Sequence, residues 1–343
     1  MHPREPSGHT VLMNAGHPLA SPRRRALEHV TSLSSGAPLN AELRITLNFH
    51  PDRTVAGRPI LERLCGDGLY VSQFVTGTSN GGLTARPGGD RWRWESRIFG
   101  GAYDGAGPAE RPVYGALDVR RASFGAAPRF GSAHFRLTAD VLASATFCYP
   151  DSATEPVQFG VAARMSGLVE LAAADRRDAL DDYIEAQIHV PVRLDQDVEA
   201  LVLDPAYRGT AVEAAAEKLP CPVEWHEGFR LGVDELRRRP GFRGSEYVEL
   251  GEALAVDGCL DARIIGDAAR AGCHAEQDLK KVWHLLARFG RAPRSHAADL
   301  PVDRGRPLLS GRAGNRRGGY PPGVDGSFTP PQATEARGCP LLS

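Results

Sequence analysis

The stretch YIEAQIHVPVRL, residues 183–194, decides how the fold of this chain is read. From Tyr183 to Val190 it alternates and is rich in β-branched residues, which predicts a strand. Strand side chains repeat every second residue, so Glu185 and Gln187 lie on one face. A carboxylate beside an amide on a core strand indicates either that this face of the strand is exposed to solvent or that the pair takes part in chemistry.

The segments around this strand mix β and α patterns. Further strands are predicted at LRITLNF (43–49), RPVYGALDV (111–119), SAHFRL (132–137) and ASATF (143–147), and helices at RPILERLCGDG (58–68), DARIIGDAARAG (261–272) and EQDLKKVWHLLARFG (276–290). Many strands with short separations and flanking helices favour an α+β domain over a doubly wound sheet.

Composition bounds the class of protein. Of 343 residues, 42% are hydrophobic and 24% charged, with a formal net charge of −1, which is typical of a globular protein without an obvious nucleic-acid patch. No apolar run approaches the ~20 residues of a membrane helix. The N-terminus lacks the order of a secretory signal, so we expect a cytoplasmic protein, with secretion of an effector by a non-classical route left open.

Composition also predicts the domain limits. Residues 1–21 and the Pro-, Gly- and Arg-rich residues 291–343 are expected to be disordered. Residues 22–290 are expected to form one α+β domain, with a helical part at about 245–290. The chain has no GxGxxG after a strand, no GxxxxGK[ST], no CxxC and no HExxH, so neither a common phosphate loop nor a metal site is expected.

Two segments carry side chains suited to a polar ligand. In FHPDR (49–53) a strand ends at His50, which could donate to a ribose or diphosphate oxygen, and Arg53 could pair with a phosphate. The segment YVSQFVTGTSNGG (70–82) offers hydroxyls and amides among glycines, which let a backbone approach a ligand closely. Its candidate ligand contacts are Tyr70, Ser72, Ser79 and Asn80. Arg129, in PRFGSAHF (128–135), is a further candidate near the start of a strand.

The order of these motifs resembles a known superfamily. FHPDR, SQFVTGTSNGG, FGGAYD, RPVYGAL, PRFGS, YIEAQIH and LKKVWHLLARFG are together similar to a bacterial family of unknown function, over about residues 22–290. More distantly, the chain resembles the ADP-ribosyltransferases, including toxin-like members, which bind NAD in a split antiparallel β-sandwich with flanking helices. That resemblance implies a His or Arg on the first strand for the adenosine half of NAD, and whether His50 or Arg44 takes this place stays open. It also implies a Ser/Thr or aromatic segment framing the nicotinamide and a late-strand Glu185 acting on the ribose.

The same resemblance implies a transferase or NAD glycohydrolase. Glu185 would accept a hydrogen bond from the ribose 2′-hydroxyl and stabilise the positive charge that grows as the glycosidic bond breaks, while Gln187 would orient an acceptor or a ribose hydroxyl. The acceptor, which is protein, nucleic acid, small molecule or water, stays open. The chain departs from members that place Glu or Gln two residues before the catalytic Glu, because Tyr183 stands there. If 185 were instead the first position of that motif, residue 187 would be acidic, and it is Gln.

Two other functions remain open at this stage. A non-catalytic binding module would use the Gly-rich polar loops as a recognition surface. A metal-dependent phosphoesterase would use His50, His134 and His189.

Overall fold

The computed structural model describes residues 21–77 and 85–291, all within one unit of the chain, Met1–Ala292. Its strands are β1 (Ile45–Phe49), β2 (Thr54–Val55), β3 (Arg58–Pro59), β4 (Leu69–Tyr70), β5 (Val113–Leu117), β6 (Ala133–Leu137), β7 (Ala145–Tyr149), β8 (Gln158–Val161), β9 (Ile184–Ile188), β10 (Val192–Arg193), β11 (Val198–Leu203), β12 (Val223–Trp225), β13 (Arg230–Gly232) and β14 (Cys259–Asp261). Its α-helices are α1 (Pro22–Leu33), α2 (Ile60–Asp67), α3 (Gln73–Thr76), α4 (Asp90–Ile98), α5 (Ser166–Ala174), α6 (Ala211–Ala216), α7 (Val233–Arg237), α8 (Ser245–Leu254), α9 (Ala262–Ala271) and α10 (Glu276–Phe289). The segments predicted to be disordered, 1–21 and 291–343, fall outside the described residues except at their inner ends.

Eight strands form one sheet in the order β12-β11-β6-β1-β5-β9-β7-β8. Neighbours run antiparallel except β11 and β12, which are parallel. The predicted α+β class with flanking helices is therefore confirmed. The split sandwich is not confirmed, because the other described strands form only two-stranded pairs, β10-β4, β13-β14 and β2-β3.

One face of the sheet is apolar and packs against helices. Alternate residues of β9, Ile184, Ala186 and Ile188, share a buried cluster with side chains of α2, α5 and α6. The helix α2 ends where Gly68 takes a left-handed φ of 64° and its N–H bonds to the Leu64 carbonyl at 2.9 Å. The turn at Gly68 leads directly into β4. Burial of α2 in the apolar cluster therefore also fixes the position of β4.

The other face of the sheet is polar, yet it is also covered. Across the strands, Gln187 lies between Tyr114 and Thr146, and Glu185 lies beside Cys148. Glu185 and Gln187 are 6% and 1% exposed. The two polar side chains of the opening stretch therefore lie on a covered face of an internal strand, away from bulk water.

The C-terminal helices α7–α10 build a second core around Trp283, which is 1% exposed. Trp283 also ties this core to the end of β1, since its ring lies edge-on to His50 at 4.8 Å. Its indole N–H donates to the Pro128 carbonyl at 3.0 Å. Within residues 21–77 and 85–291, no helix combines the length and apolar character needed to cross a membrane.

Candidate functional site

A cavity of about 350 Å³ opens where two central strands part. β1 pairs with β5 only through Ile45–Leu117 and Thr46–Ala116. After these two pairs, β1 remains paired with β6 and β5 remains paired with β9, but they no longer pair with each other. Beyond the last shared pair, the cavity has Phe49 of β1 on one side and Val113 of β5 on the other. Its volume lies in the range of small-molecule sites.

The cavity collects all the predicted cofactor-binding residues that the structure describes. Its wall includes His50, Arg53, Tyr70, Ser72 and Arg129, which come from three separate segments of the sequence. The other two predictions, at positions 79 and 80 (Ser79 and Asn80), lie outside the described residues.

His50 follows β1 and presents a neutral imidazole to the cavity. Burial, with a smaller contribution from the Arg53 guanidinium, lowers the pKa of His50 to about 3. The ring therefore stays uncharged at physiological pH, and it can donate or accept a hydrogen bond without a change in charge.

The two predicted arginines are already paired with acids. Arg53 Nη1 lies 3.4 Å from Glu276 Oε1, an exposed pair at the cavity rim. Arg129 forms an ion pair with Asp181, which also accepts from Arg243 at 3.3 Å. Since one carboxylate serves two guanidinium groups, this side of the cavity keeps an excess of positive charge.

Tyr70 and Ser72 have largely structural surroundings. The Tyr70 ring lies edge-on to Phe49 and Phe135 at 6.3 and 6.0 Å, and burial raises its pKa to about 12. The Ser72 hydroxyl donates to the Pro108 carbonyl at 2.8 Å. Both side chains line the cavity, and because the Ser72 hydroxyl already donates, it can only accept a hydrogen bond from a ligand.

Glu185 lies behind the cavity and is not part of its wall. It is on the same sheet face as Tyr114, which does line the cavity, but two cross-strand pairs deeper, opposite Ala116. It is level with Thr46, four residues before His50 and two strands away. At ~3.3 Å per residue and ~4.8 Å per strand, the Cα atoms of His50 and Glu185 are about 16 Å apart.

Hydrogen bonds hold Glu185 in a buried network. Its carboxylate accepts from Ser152 Oγ at 3.1 Å and from Gln187 Nε2 at 2.9 Å. Thr146 donates to Gln187 Oε1 at 2.8 Å, so the Gln187 amide has partners at both ends. Burial raises the pKa of Glu185, and the positive charge of Arg91 opposes that shift.

Arg91 and Glu95 of α4 connect this network to the cavity wall. The Arg91 guanidinium bonds to Ser152 at 3.1 Å and lies over the Tyr114 ring at 4.0 Å. The Tyr114 hydroxyl donates to Glu95 at 3.1 Å, and Glu95 is paired with the buried Arg111 at 2.5 Å. Burial raises the pKa of Glu95 to about 7, although Arg111 opposes the shift. The wall residue Tyr114 is thus held from behind by two charged side chains.

Sequence reasoning missed several cavity residues. Tyr114 and Gln73 belong to quoted motifs but were not selected, and the Gln73 side-chain oxygen is buried without a hydrogen-bond partner among the described residues. Lys280 of α10 was missed because its helix reads as simple packing. One signal was present: Lys280 is three and four residues from Trp283 and His284, which places a cation beside the apolar stripe.

The three histidines of the phosphoesterase hypothesis have separate surroundings. His189 bonds to the Tyr103 hydroxyl at 2.7 Å and to Thr146 at 2.9 Å, whereas His50 packs on Trp283. Burial lowers the pKa of both His134 and His189 to about 3. In the part of the chain that the structure describes, no group of three or more His, Cys, Asp or Glu side chains is arranged to hold a metal ion.

The sequence matches a protein family described as "Protein of unknown function (DUF3626)" at residues 44–174 and 157–289. The chain belongs to this family. The predicted similarity to a family of unknown function is thereby confirmed, and the DUF3626 match spans the central sheet, the cavity and helices α7–α10. No curated protein matches the chain.

Proposed function

We propose that this DUF3626 protein is an ADP-ribosyltransferase-like enzyme. It binds NAD in the cavity between β1 and β5, cleaves the nicotinamide–ribose bond and passes ADP-ribose to an acceptor or to water. The observation that carries the proposal is the cavity itself. It opens where the sheet splits, and it gathers the five described side chains that the sequence predicts to contact a polar ligand: His50, Arg53, Tyr70, Ser72 and Arg129.

The wall of the cavity suits the two ends of NAD. Tyr70, Tyr114 and Phe130 supply aromatic surface for a planar nicotinamide ring. The Gln73 side-chain oxygen, which has no partner among the described residues, can accept a hydrogen bond from the carboxamide N–H. The neutral imidazole of His50 can bond to a ribose hydroxyl at the other end.

Glu185 supplies the negative charge in this mechanism. In the free protein its carboxylate accepts from Gln187. Glu185 does not line the cavity in the free protein, so the mechanism requires the 2′-hydroxyl of the nicotinamide ribose to displace the Gln187 amide from it, after which the carboxylate faces the developing oxocarbenium charge. Nicotinamide leaves as a neutral molecule from a cationic ring, so no general acid is required. A buried carboxylate beside growing positive charge is favourable because the local dielectric is low.

Nicotinamide release from NAD tests the proposal. The full chain is incubated with NAD, and free nicotinamide is measured by chromatography for wild type, Glu185→Gln and the control Glu199→Gln. Glu199 is also on a strand of the sheet but pairs with Arg44 at 2.6 Å, away from the cavity. We expect release by wild type and Glu199→Gln, and a loss of about 100-fold or more in Glu185→Gln with an unchanged melting temperature. Full activity of Glu185→Gln would remove the mechanism.

A non-catalytic binding module is the second candidate, and one observation favours it. Glu185 is 6% exposed, is bonded to Ser152 and Gln187, and does not line the cavity. A module of this kind would bind NAD or ADP-ribose, measured by calorimetry, and release no nicotinamide. Failure to bind either ligand would reject both candidates.

A further inference from the structure

Lys280 lies in the cavity wall and comes from α10, far along the chain from the other wall residues. Charged wall residues number four cations and two acids, and two of the cations are paired within the wall: Arg53 with Glu276 and Arg63 with Asp67, each at 3.4 Å. Lys280 has no ion pair or hydrogen bond to any residue that the structure describes. It is the uncompensated charge of the cavity.

The groups around Lys280 are mostly positive. Burial lowers its pKa to about 8, helped by the charges of Arg129, Lys281 and Arg243. The acids nearby are already engaged, Asp181 with Arg129 and Arg243, and Glu276 with Arg53. A cluster that holds several cations around so few carboxylates is stabilised when an anion binds beside it.

A second observation comes from His284, one turn after Lys280 on the same helix. Its imidazole is 2% exposed, and neither ring nitrogen has a hydrogen-bond partner within the described residues. Its pKa is lowered to about 2, first by burial and then by Arg129, Arg243, Lys280 and Lys281. His284 does not line the cavity, but its ring shows that polar groups beside Lys280 on α10 lack hydrogen-bond partners among the described residues.

The position of Lys280 is fixed by packing. Trp283, one turn along α10, contacts His50 and donates to the Pro128 carbonyl next to Arg129. The same indole therefore sets the distance of α10 from the end of β1 and from the turn that carries Arg129. Lys280 is held against the cavity by a rigid element, as an anion site requires.

We propose that Lys280 and Arg129 form a subsite for the phosphate groups of a nucleotide diphosphate, so that α10 completes the ligand site built by β1 and β5. The assignment of NAD as that nucleotide rests on the function proposed above, whereas the phosphate subsite rests on the cation cluster. Arg129 offers a planar set of donors and Lys280 a point charge, a combination suited to adjacent phosphate oxygens.

The subsite is tested with the full chain by calorimetry. The ligands are ADP-ribose, adenosine and inorganic pyrophosphate, and the proteins are wild type, Lys280→Met, Lys280→Arg and the control Lys281→Met. Lys281 is the next residue on the helix but does not line the cavity. At pH 7 we expect Lys280→Met to weaken ADP-ribose and pyrophosphate binding at least tenfold and Lys280→Arg to retain most of the affinity. Lys281→Met removes a nearby charge that does not line the cavity, so it should weaken binding by at most about threefold. Adenosine binding should not change.

The pH dependence gives a readout that loss of packing would not produce. Below about pH 8, Lys280 is protonated before and after the anion binds, so log Kd for ADP-ribose stays flat. Above pH 8 the free protein must take up a proton on binding, and log Kd rises by up to one unit per pH unit. This bend should vanish in Lys280→Met. A flat profile in wild type, or equal losses in Lys280→Met and Lys281→Met, would overturn the subsite.

Failure of the two proposals can be told apart. If no nicotinamide is released but ADP-ribose binding depends on Lys280, the subsite stands and the enzymatic proposal falls. If NAD is cleaved with an unchanged KM in Lys280→Met, the subsite falls and the enzyme stands. Absence of binding by both ADP-ribose and pyrophosphate would reject the subsite outright.

Discussion

Replacing Arg111 by Met should lower the free energy of unfolding more than the removal of any exposed charge. Arg111 and Glu95 form an ion pair at 2.5 Å, with side chains 2% and 0% exposed. Arg111 also donates to the Tyr103 carbonyl at 2.8 Å. Met fills a similar volume, so the variant removes the charge and its hydrogen bonds and leaves the buried Glu95 without its ion-pair partner, with only the weaker influence of Arg91.

The magnitude follows from what remains in the folded state. Removing one partner of a buried ion pair costs about 3–5 kcal/mol, because the other charge is left uncompensated. With Arg111 in place the pKa of Glu95 is about 7, because burial raises it more than Arg111 lowers it. Without Arg111 that pKa rises further, so Glu95 takes up a proton at neutral pH, which keeps the loss within this range. We therefore expect the free energy of unfolding to fall by about 4 kcal/mol.

Urea unfolding at pH 7 measures this loss. The control is Arg93→Met, which removes an exposed pair with Asp90 on the same helix as Glu95, and it should cost less than about 1 kcal/mol. The double variant Glu95→Gln/Arg111→Met should recover at least about 2 kcal/mol of the loss, since the side chain at position 95 then folds without the cost of burying or protonating a carboxylate. A cost below about 1.5 kcal/mol for Arg111→Met, or a double variant as unstable as the sum of the singles, would refute the reasoning.

Two other predictions concern packing and pH. Gly266→Ala should lower the free energy of unfolding by about 1–3 kcal/mol, because the added Cβ would meet Asp52 Oδ2 at 1.5 Å. In the same unfolding assay the control Gly241→Ala should be close to neutral, since its Cβ would have nothing within 4 Å. An equal effect at both glycines would contradict the geometry. The His284 pKa of about 2 lies below the unfolded value of 6.5, so protonation favours the unfolded chain and stability falls as pH drops below 6.5. His284→Phe should lower the slope of stability against pH by about 1.4 kcal/mol per pH unit between pH 6.5 and 5. The control His274→Gln, at an exposed position, should leave this slope unchanged. An unaltered slope in His284→Phe would contradict the burial argument.

The sequence predicted the local elements well where one period dominates. The alternation in YIEAQIH gives β9, and the apolar stripe with a terminal glycine gives α2. These patterns depend on neighbours along the chain, and they also selected the His50 and Arg53 segment at the end of β1. They could not assign the environment of Glu185. A polar residue on a strand gives the same sequence pattern whether it faces solvent, lines a cavity or belongs to a buried hydrogen-bond network.

By itself, the sequence of this protein therefore determined its α+β class and the candidate residues that project from each segment. Only the tertiary structure decided which of them meet. Strand order and register depend on pairing between residues that are distant in the sequence, such as Ile45 with Leu117 and Tyr114 with Gln187. They part β1 from β5, bring Tyr114 into the cavity wall and leave Glu185 two residue pairs behind it. Docking of α10 through Trp283 then adds Lys280, a residue whose role depends entirely on contacts outside its own helix.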